Sequence, residues 1–242
     1  TTVAWQTRPR FRSPEMIVKE IVLYGLKNVA FHSDVFTMRK EQVYEICDLM
    51  PKGVRWVCNS RVDTVDRALL QAMKRAGCWQ VFYGVESGDD GVLAANRKQA
   101  TVEQARQAVR WTKEIGLRVH GYFMLGLMQD TPVTMEKTLR LSRELPFDEV
   151  NFAVSAPYFG THFYEMASSR HWLTSEAWED YDQSGSAIVD QPGCSHTQVK
   201  TFQRRAYREW YLSWRGLKFF LQAWKPRYSR FFYQVALNHL RG

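Results

Sequence analysis

These 242 residues contain four cysteines, Cys47, Cys58, Cys78 and Cys194, with no CxxC or CxxxC spacing among them. That excludes a zinc or redox motif readable from spacing and gives no disulfide framework. The thiols are read as reduced and mostly buried, in a cytoplasmic protein. Long apolar runs are also missing. The longest, near Tyr122–Met128, has Gly126 inside it and falls far short of the roughly 20 residues a membrane span requires. Thr1–Arg10 has no apolar core of the kind a secretory signal needs. Acidic residues are scarce at one end: from Thr197 to Gly242 a single acid, Glu209, stands against ten Lys or Arg.

The overall net charge of +8 is therefore lopsided, with +9 in that tail and about −1 in Thr1–His196. The tail also holds twelve of the 34 aromatics. A basic, aromatic element of this kind could meet phosphates or a membrane surface, making the protein peripheral to a membrane. Nucleic acid is the weaker expectation, because no appended nucleic-acid module is visible. The rival reading is a helical cap whose aromatics pack inward and whose arginines are solvated. With 45% hydrophobic residues, the chain has enough apolar material for one large α/β domain or two small ones.

Ser13-Pro14-Glu15 reads as a helix start, with a Ser cap, Pro in the first turn and an acid at the positive end of the dipole. Met16, Ile17, Ile21 and Tyr24 form its expected buried stripe, and Gly25 its stop. A strand at Asn28–Phe31 runs into Ser33-Asp34. The unit then repeats. A helix over Arg39–Met50 leads to a strand at Val54–Asn59 that ends in Ser60-Arg61-Val62-Asp63, and a helix over Asp66–Ala76 closes at Gly77. Next, Gln80 to Gly88 is an apolar β-rich run that ends in Glu86, Ser87 and a glycine, as a strand covered on both faces would. After a loop with Asn96-Arg97-Lys98, Thr101 and Gln104 form a capping box for a helix to Ile115. A strand follows at Arg118–Leu125, a helix from Thr131-Pro132 to Leu145, and a strand at Glu149–Ser155.

Strands alternating with helices argue for right-handed βαβ units and a parallel sheet. Ser33-Asp34, Ser60-Arg61, Glu86-Ser87, the Gly126 loop and Ala156-Pro157-Tyr158 each follow a strand. They are therefore expected at the carboxyl ends, where ligands bind in such folds. Five strands are too few for a closed eight-stranded barrel, so the sheet is expected to be open or partial. Beyond Tyr164 the pattern changes: His171–Gly193 reads as a long loop, and Ser195 with Gln198 caps a helix to about Trp224. Trp210, Trp214, Leu217, Leu221 and Trp224 form its stripe; Pro226 breaks it, and a short helix follows over Ser229–Leu240. This divides the chain into 1–168 as a partial barrel, 169–196 as a linker and 197–242 as basic aromatic helices.

Arg12-Ser13-Pro14-Glu15, Ser33-Asp34-Val35-Phe36, Trp56 to Asp63, Met73 to Cys78, Gly84-Val85-Glu86-Ser87-Gly88 and Gly121 to Leu127 occur in the order seen in radical S-adenosylmethionine (SAM) enzymes. The chain most resembles the cobalamin-dependent branch, with its methyltransferases and anaerobic cyclases. The resemblance implies a partial (β/α)₆ TIM-like barrel in which a [4Fe–4S] cluster cleaves SAM to a 5′-deoxyadenosyl radical, or supports cobalamin-mediated methyl transfer. It places Ser33 and Asp34 at the methionine ammonium, Glu86 and Ser87 at the ribose or methionyl part, and Arg61 and Lys98 at the carboxylate, with Ser60 also among the SAM-binding residues. For Arg61 and Lys98 an ordinary internal ion pair is an equal alternative.

Four departures qualify the resemblance. The family's CxxxCxxC triplet is missing, so the sequence reads as a piece whose cluster cysteines, first strand and any cobalamin domain are expected upstream of Thr1. By itself it is expected to be inactive. Ser33 replaces the first of two Asp residues common in relatives, and Met128-Gln129-Asp130 stands where a Pro-Gly-Glu turn is common. Tyr158-Phe159-Gly160-Thr161 has Phe in place of Pro. The expected function is radical SAM chemistry on an apolar, natural-product-like or lipid-like small molecule, with electrons from a flavodoxin- or ferredoxin-type protein. The alternatives are a tRNA-modifying relative and an inactive barrel that binds SAM or a partner. No histidine spacing suggests a metal site.

Overall fold

A computed structural model of the chain, which describes residues 10–223, starts where the capping chemistry says it should. The Ser13 hydroxyl accepts the Met16 amide at 3.3 Å and Pro14 sits in the first turn of α1 (Pro14–Leu23). No intrahelical donor is lost to a proline placed there. The expected stripe is not buried as a set, however: Ile21 is, while Met16 and Tyr24 are exposed. The helix packs against α2 (Lys40–Leu49) through part of its surface.

The strands are β1 (Asn28–Phe31), β2 (Arg55–Arg61), β3 (Cys78–Glu86), β4 (Arg118–Leu125) and β5 (Glu149–Val154), and they lie in the sheet in chain order. β1 pairs with β2, and β2 with β3, in parallel. Parallel neighbours in sequence need a crossover between them, and α2, α3 (Arg67–Arg75), α5 (Val102–Glu114) and α6 (Pro132–Glu144) supply it. Thr101 and Gln104 cap α5 reciprocally, as the sequence predicts. A short helix that the sequence reading treats as loop, α4 (Asp90–Ala95), follows β3.

The chain divides into two compact units. One holds the residues up to Val85 with Lys98–Tyr122 and Leu145–Phe147. Its core includes Ile46, Trp56, Leu69, Leu70, Met73 and Tyr83, all under 3% exposed. The Trp56 indole donates to the Ala76 carbonyl at 2.8 Å and its ring meets Phe31 edge-on. The Tyr83 hydroxyl bonds the Thr112 hydroxyl on α5 at 2.9 Å. Strand residues alternate between fully buried and half-buried, so the two faces are not equally covered, contrary to the expectation for β3. The covered face takes Trp56, Cys58 and Ser60, and the half-buried face Asn59 and Arg61.

The other unit holds Glu86–Arg97, Phe123–Glu144 and the chain from Asp148. After β5 come α7 (His162–Ser169), unforeseen in the sequence, then the segment to Gly193, α8 (His196–Tyr211) and α9 (Trp214–Ala223). That segment is ordered by its own contacts: Tyr181, Ile188 and Val189 form a core with Ala167 of α7. Ser195 and Gln198 form the expected capping box. α8 packs on α6 and β5; its buried Trp210 donates to the Ser142 carbonyl at 3.2 Å, and Tyr211 to the Val150 carbonyl at 2.7 Å.

The expected continuous helix breaks at Leu212-Ser213, which splits the stripe: Trp210 is 1% exposed and Trp214 77%. The last helix read from the sequence, and Trp224 and Pro226, lie outside the described residues. No helix among the described residues is long and apolar enough to cross a membrane.

Candidate functional site

In the first unit, Ser33 and Asp34 lie exposed just past β1. An exposed carboxylate in that position can meet an ammonium. Ser60 is built in differently. Period-2 alternation puts it on the covered face of β2, where its hydroxyl meets that of Thr37 at 2.5 Å; Thr37 in turn meets Thr64 at 2.6 Å. Three hydroxyls thus satisfy one another in a buried place and fix the loops after β1 and β2.

Arg61 faces the other way. Its guanidinium grips Asp63 with two bonds, of 2.8 and 2.6 Å. Burial alone would raise the Asp63 carboxyl; the bonds and charge of Arg61, with the charge of Lys98, hold it below the usual carboxylate value. Arg61 is thus ion-paired with Asp63, and the charge of Lys98 acts on the same carboxylate. Sequence reasoning missed a neighbouring feature. Phe82, His120 and Tyr122 pack ring against ring, with centroids 4.6–6.1 Å apart. His120 and Tyr122 at alternate positions of β4 were the available signal. A cleft of about 400 Å³ walled by Cys47, Lys52, Gly53 and Arg75 lies by the amino ends of β2 and β3, away from these groups.

In the second unit, Glu86 ends β3 with φ +68°, a left-handed conformation that a non-glycine residue adopts at a cost and that clusters at functional sites. The next hydroxyl, Ser87, is fully buried; it lies 3.3 Å from the Thr138 hydroxyl and accepts the Asp89 amide at 3.2 Å. The Gly88 amide donates to Thr138 at 2.9 Å. The Glu86 carboxyl is thus carried on a turn that α6 fixes from behind.

The loop after β4 is equally tied down. Gly126 has φ +75° and Gln129 φ +67°. Asp130, fully buried, accepts the Gly126 amide at 3.0 Å and the Thr134 hydroxyl. Asn96 accepts the Met128 amide at 3.2 Å and donates to the Met128 carbonyl at 3.0 Å.

Burial pushes the Asp130 carboxyl up to about 6, against the pull of Thr134 and of the Gly126, Leu127 and Thr131 amides. A raised acid is one whose proton the fold retains, so its stabilisation is complete below the unfolded value of 3.8 and is lost as pH rises through about 6. Asp130→Asn should remove that slope. Its melting temperature relative to wild type should rise between about pH 4 and 7, by the equivalent of roughly 1–3 kcal/mol. A pH-independent difference in thermal melts would count against the assignment.

The cysteines do not suit an iron–sulfur cluster. Burial raises Cys47 to about 12 and Cys194 to about 11, and raises Cys58, with Cys78 hydrogen-bonded beside it. A cluster needs thiolates, and no group of three or more His, Cys, Asp or Glu among the described residues could hold a metal.

Residues 2–142 match the sequence profile of the Radical SAM superfamily, and the chain belongs to that family. With β1 to β5 in chain order, its fold is that of a partial TIM-like radical SAM barrel followed by helices. It is 29% identical over 212 residues to an uncharacterized methyltransferase of Pyrococcus horikoshii, covering 85% of this chain and 46% of that protein. It is 30% identical over 167 residues to the anaerobic magnesium-protoporphyrin IX monomethyl ester cyclase of Rubrivivax gelatinosus, covering 65% and 30%. Among solved structures it is similar to the cobalamin-dependent SAM radical enzyme OxsB with aqua-cobalamin and SAM bound. There the TM-score is 0.61 at 15% identity, over 93% of this chain and 40% of that one. The chain thus spans less than half the length of the relatives it matches.

Proposed function

We propose that this chain is the SAM-handling barrel portion of a radical SAM enzyme that acts on an apolar, natural-product-like small molecule. The observation that carries the reading is the family match over residues 2–142, joined to a strained glutamate at the end of β3. Bound by ligands other than this chain's cysteines, a [4Fe–4S] cluster would supply the electron that cleaves SAM. This chain's own residues hold and orient SAM. Asp34, with Ser33 beside it, takes the ammonium. The cationic pair Arg61 and Lys98 takes the carboxylate, for which Asp63 is the resident stand-in. Glu86 takes the ribose hydroxyls, its carboxyl presented by a backbone that needs no rearrangement on binding. Ser87 and Ser60 support these loops from the buried side. The packed Phe82, His120 and Tyr122 offer apolar walls that keep water from a reactive intermediate.

Use of cobalamin is the finer reading. The order of the motifs favours it, as does the likeness in fold to an enzyme with cobalamin bound. A flavodoxin- or ferredoxin-type electron donor completes the proposal. The test is anaerobic reconstitution of the protein at its natural length with iron, sulfide, cobalamin and a chemical reductant. SAM should yield 5′-deoxyadenosine, or S-adenosylhomocysteine if a methyl group passes to cobalamin. Formation of neither would overturn the reading. Glu86→Gln should then raise the KM for SAM by about tenfold or more, the factor that 1.4 kcal/mol represents.

A further inference from the structure

Gln191 lies in the segment that the sequence reads as linker, well past the last strand, yet it is 93% removed from solvent, at 7% exposure. Both ends of its amide are used on one target. Its Oε1 accepts the Gln129 amide at 2.8 Å and its Nε2 donates to the Leu127 carbonyl at 2.7 Å. These are the two flanks of the turn that follows β4. The turn needs such support, because Gln129 holds φ +67° without glycine's freedom.

Gln191 is itself held rigidly. Its backbone exchanges bonds with Cys194 at 3.1 and 3.0 Å across Pro192-Gly193, with Gly193 at φ +80°, as a tight turn with Pro then Gly demands. One helix further, a methyl of Val199 closes over Gly126, where an added Cβ would stand 2.9 Å from it.

In (β/α) barrels the loops at the carboxyl ends of strands carry the ligand, and the β4 turn is one of them. We propose that Gln191 is a positioning residue for SAM binding: it fixes the β4 turn from outside the barrel, so that SAM affinity depends on the segment after β5. This rests on the functional reading above. Gln191→Leu keeps the bulk but strands the Gln129 amide and leaves the Leu127 carbonyl with the Asp130 amide as its partner. Gln191→Glu keeps the acceptor and loses the donor.

In the reconstituted protein at its natural length, equilibrium SAM binding should weaken about tenfold or more in Gln191→Leu and less in Gln191→Glu. Amide exchange at Met128–Gln129 should speed up while β5 stays protected. The control is Tyr207→Phe, which loses a 3.1 Å bond to the Phe152 amide, far along the chain from the β4 turn. It should lower the melting temperature with SAM affinity unchanged. Gln191 variants that bind SAM as the wild type does, or a control that loses SAM affinity in step with its stability, would overturn the inference alone. A wild type that binds no SAM would overturn the functional reading as well.

Discussion

Replacing Gly88 by alanine should remove about 3 kcal/mol of stability or more and leave much of the protein insoluble. A Cβ there would lie 2.5 Å from the Lys137 carbonyl oxygen and 2.8 Å from the Thr138 Cα. Both neighbours are backbone of α6, so no flexible side chain can yield, and separation of the turn from α6 would also break the Gly88 amide bond to Thr138. The disturbance sits two residues from Glu86. Any folded fraction should therefore also bind SAM more weakly, provided Glu86 has the role proposed. Denaturant melts of wild type and Gly88→Ala check the first effect. Equal midpoints would show that the close approach is not real. As a comparison, alanine at Gly53, with nothing within 4 Å of a Cβ but φ +85°, carries only the backbone penalty of about 1 kcal/mol.

The second large effect separates two tryptophans four residues apart. Trp210→Ala should destabilise by roughly 3–5 kcal/mol, because the indole is fully buried between α8 and α6 and its N–H satisfies the Ser142 carbonyl. Trp214→Ala, at 77% exposure, should stay within about 0.5 kcal/mol. Thermal melts of the two variants are the measurement. Similar losses would mean that the helix continues through Leu212-Ser213 after all and that the tail packs as one stripe.

That pair also marks where the sequence can be read and where it cannot. Caps are local chemistry, so Ser13, Thr101 and Ser195 announce their helices without knowledge of the fold. Apolar runs between Gly stops likewise give all five strands and their order. The stripe from Trp210 to Leu221 fails because it assumes one unbroken helix. A break that rotates the second half by even one residue sends the same aromatics outward, and nothing in Leu212-Ser213 signals it. α4 and α7 are too short for periodicity to show.

The candidate site was legible by position only. Strand ends pick out Asp34, Arg61, Glu86 and the Gly126 loop, but not how each side chain is committed. Ser60 falls on the covered face through the parity of β2, and Ser87 turns to a threonine 51 residues away. Gln191 is the extreme case, since its partners lie 62 and 64 residues before it, and a glutamine in a polar stretch has no local signature of burial.

The cysteines carry a practical consequence. Because Cys47, Cys58 and Cys194 are held as neutral thiols, Cys78 is buried, and a thiolate is the form that alkylating reagents attack, these four cysteines should be nearly silent to maleimide and iodoacetamide near neutral pH. A cysteine introduced on the surface, at Trp178 for example, would then react well ahead of these four. Fluorophores, spin labels or crosslinkers could be mounted there with Cys47, Cys58, Cys78 and Cys194 left in place.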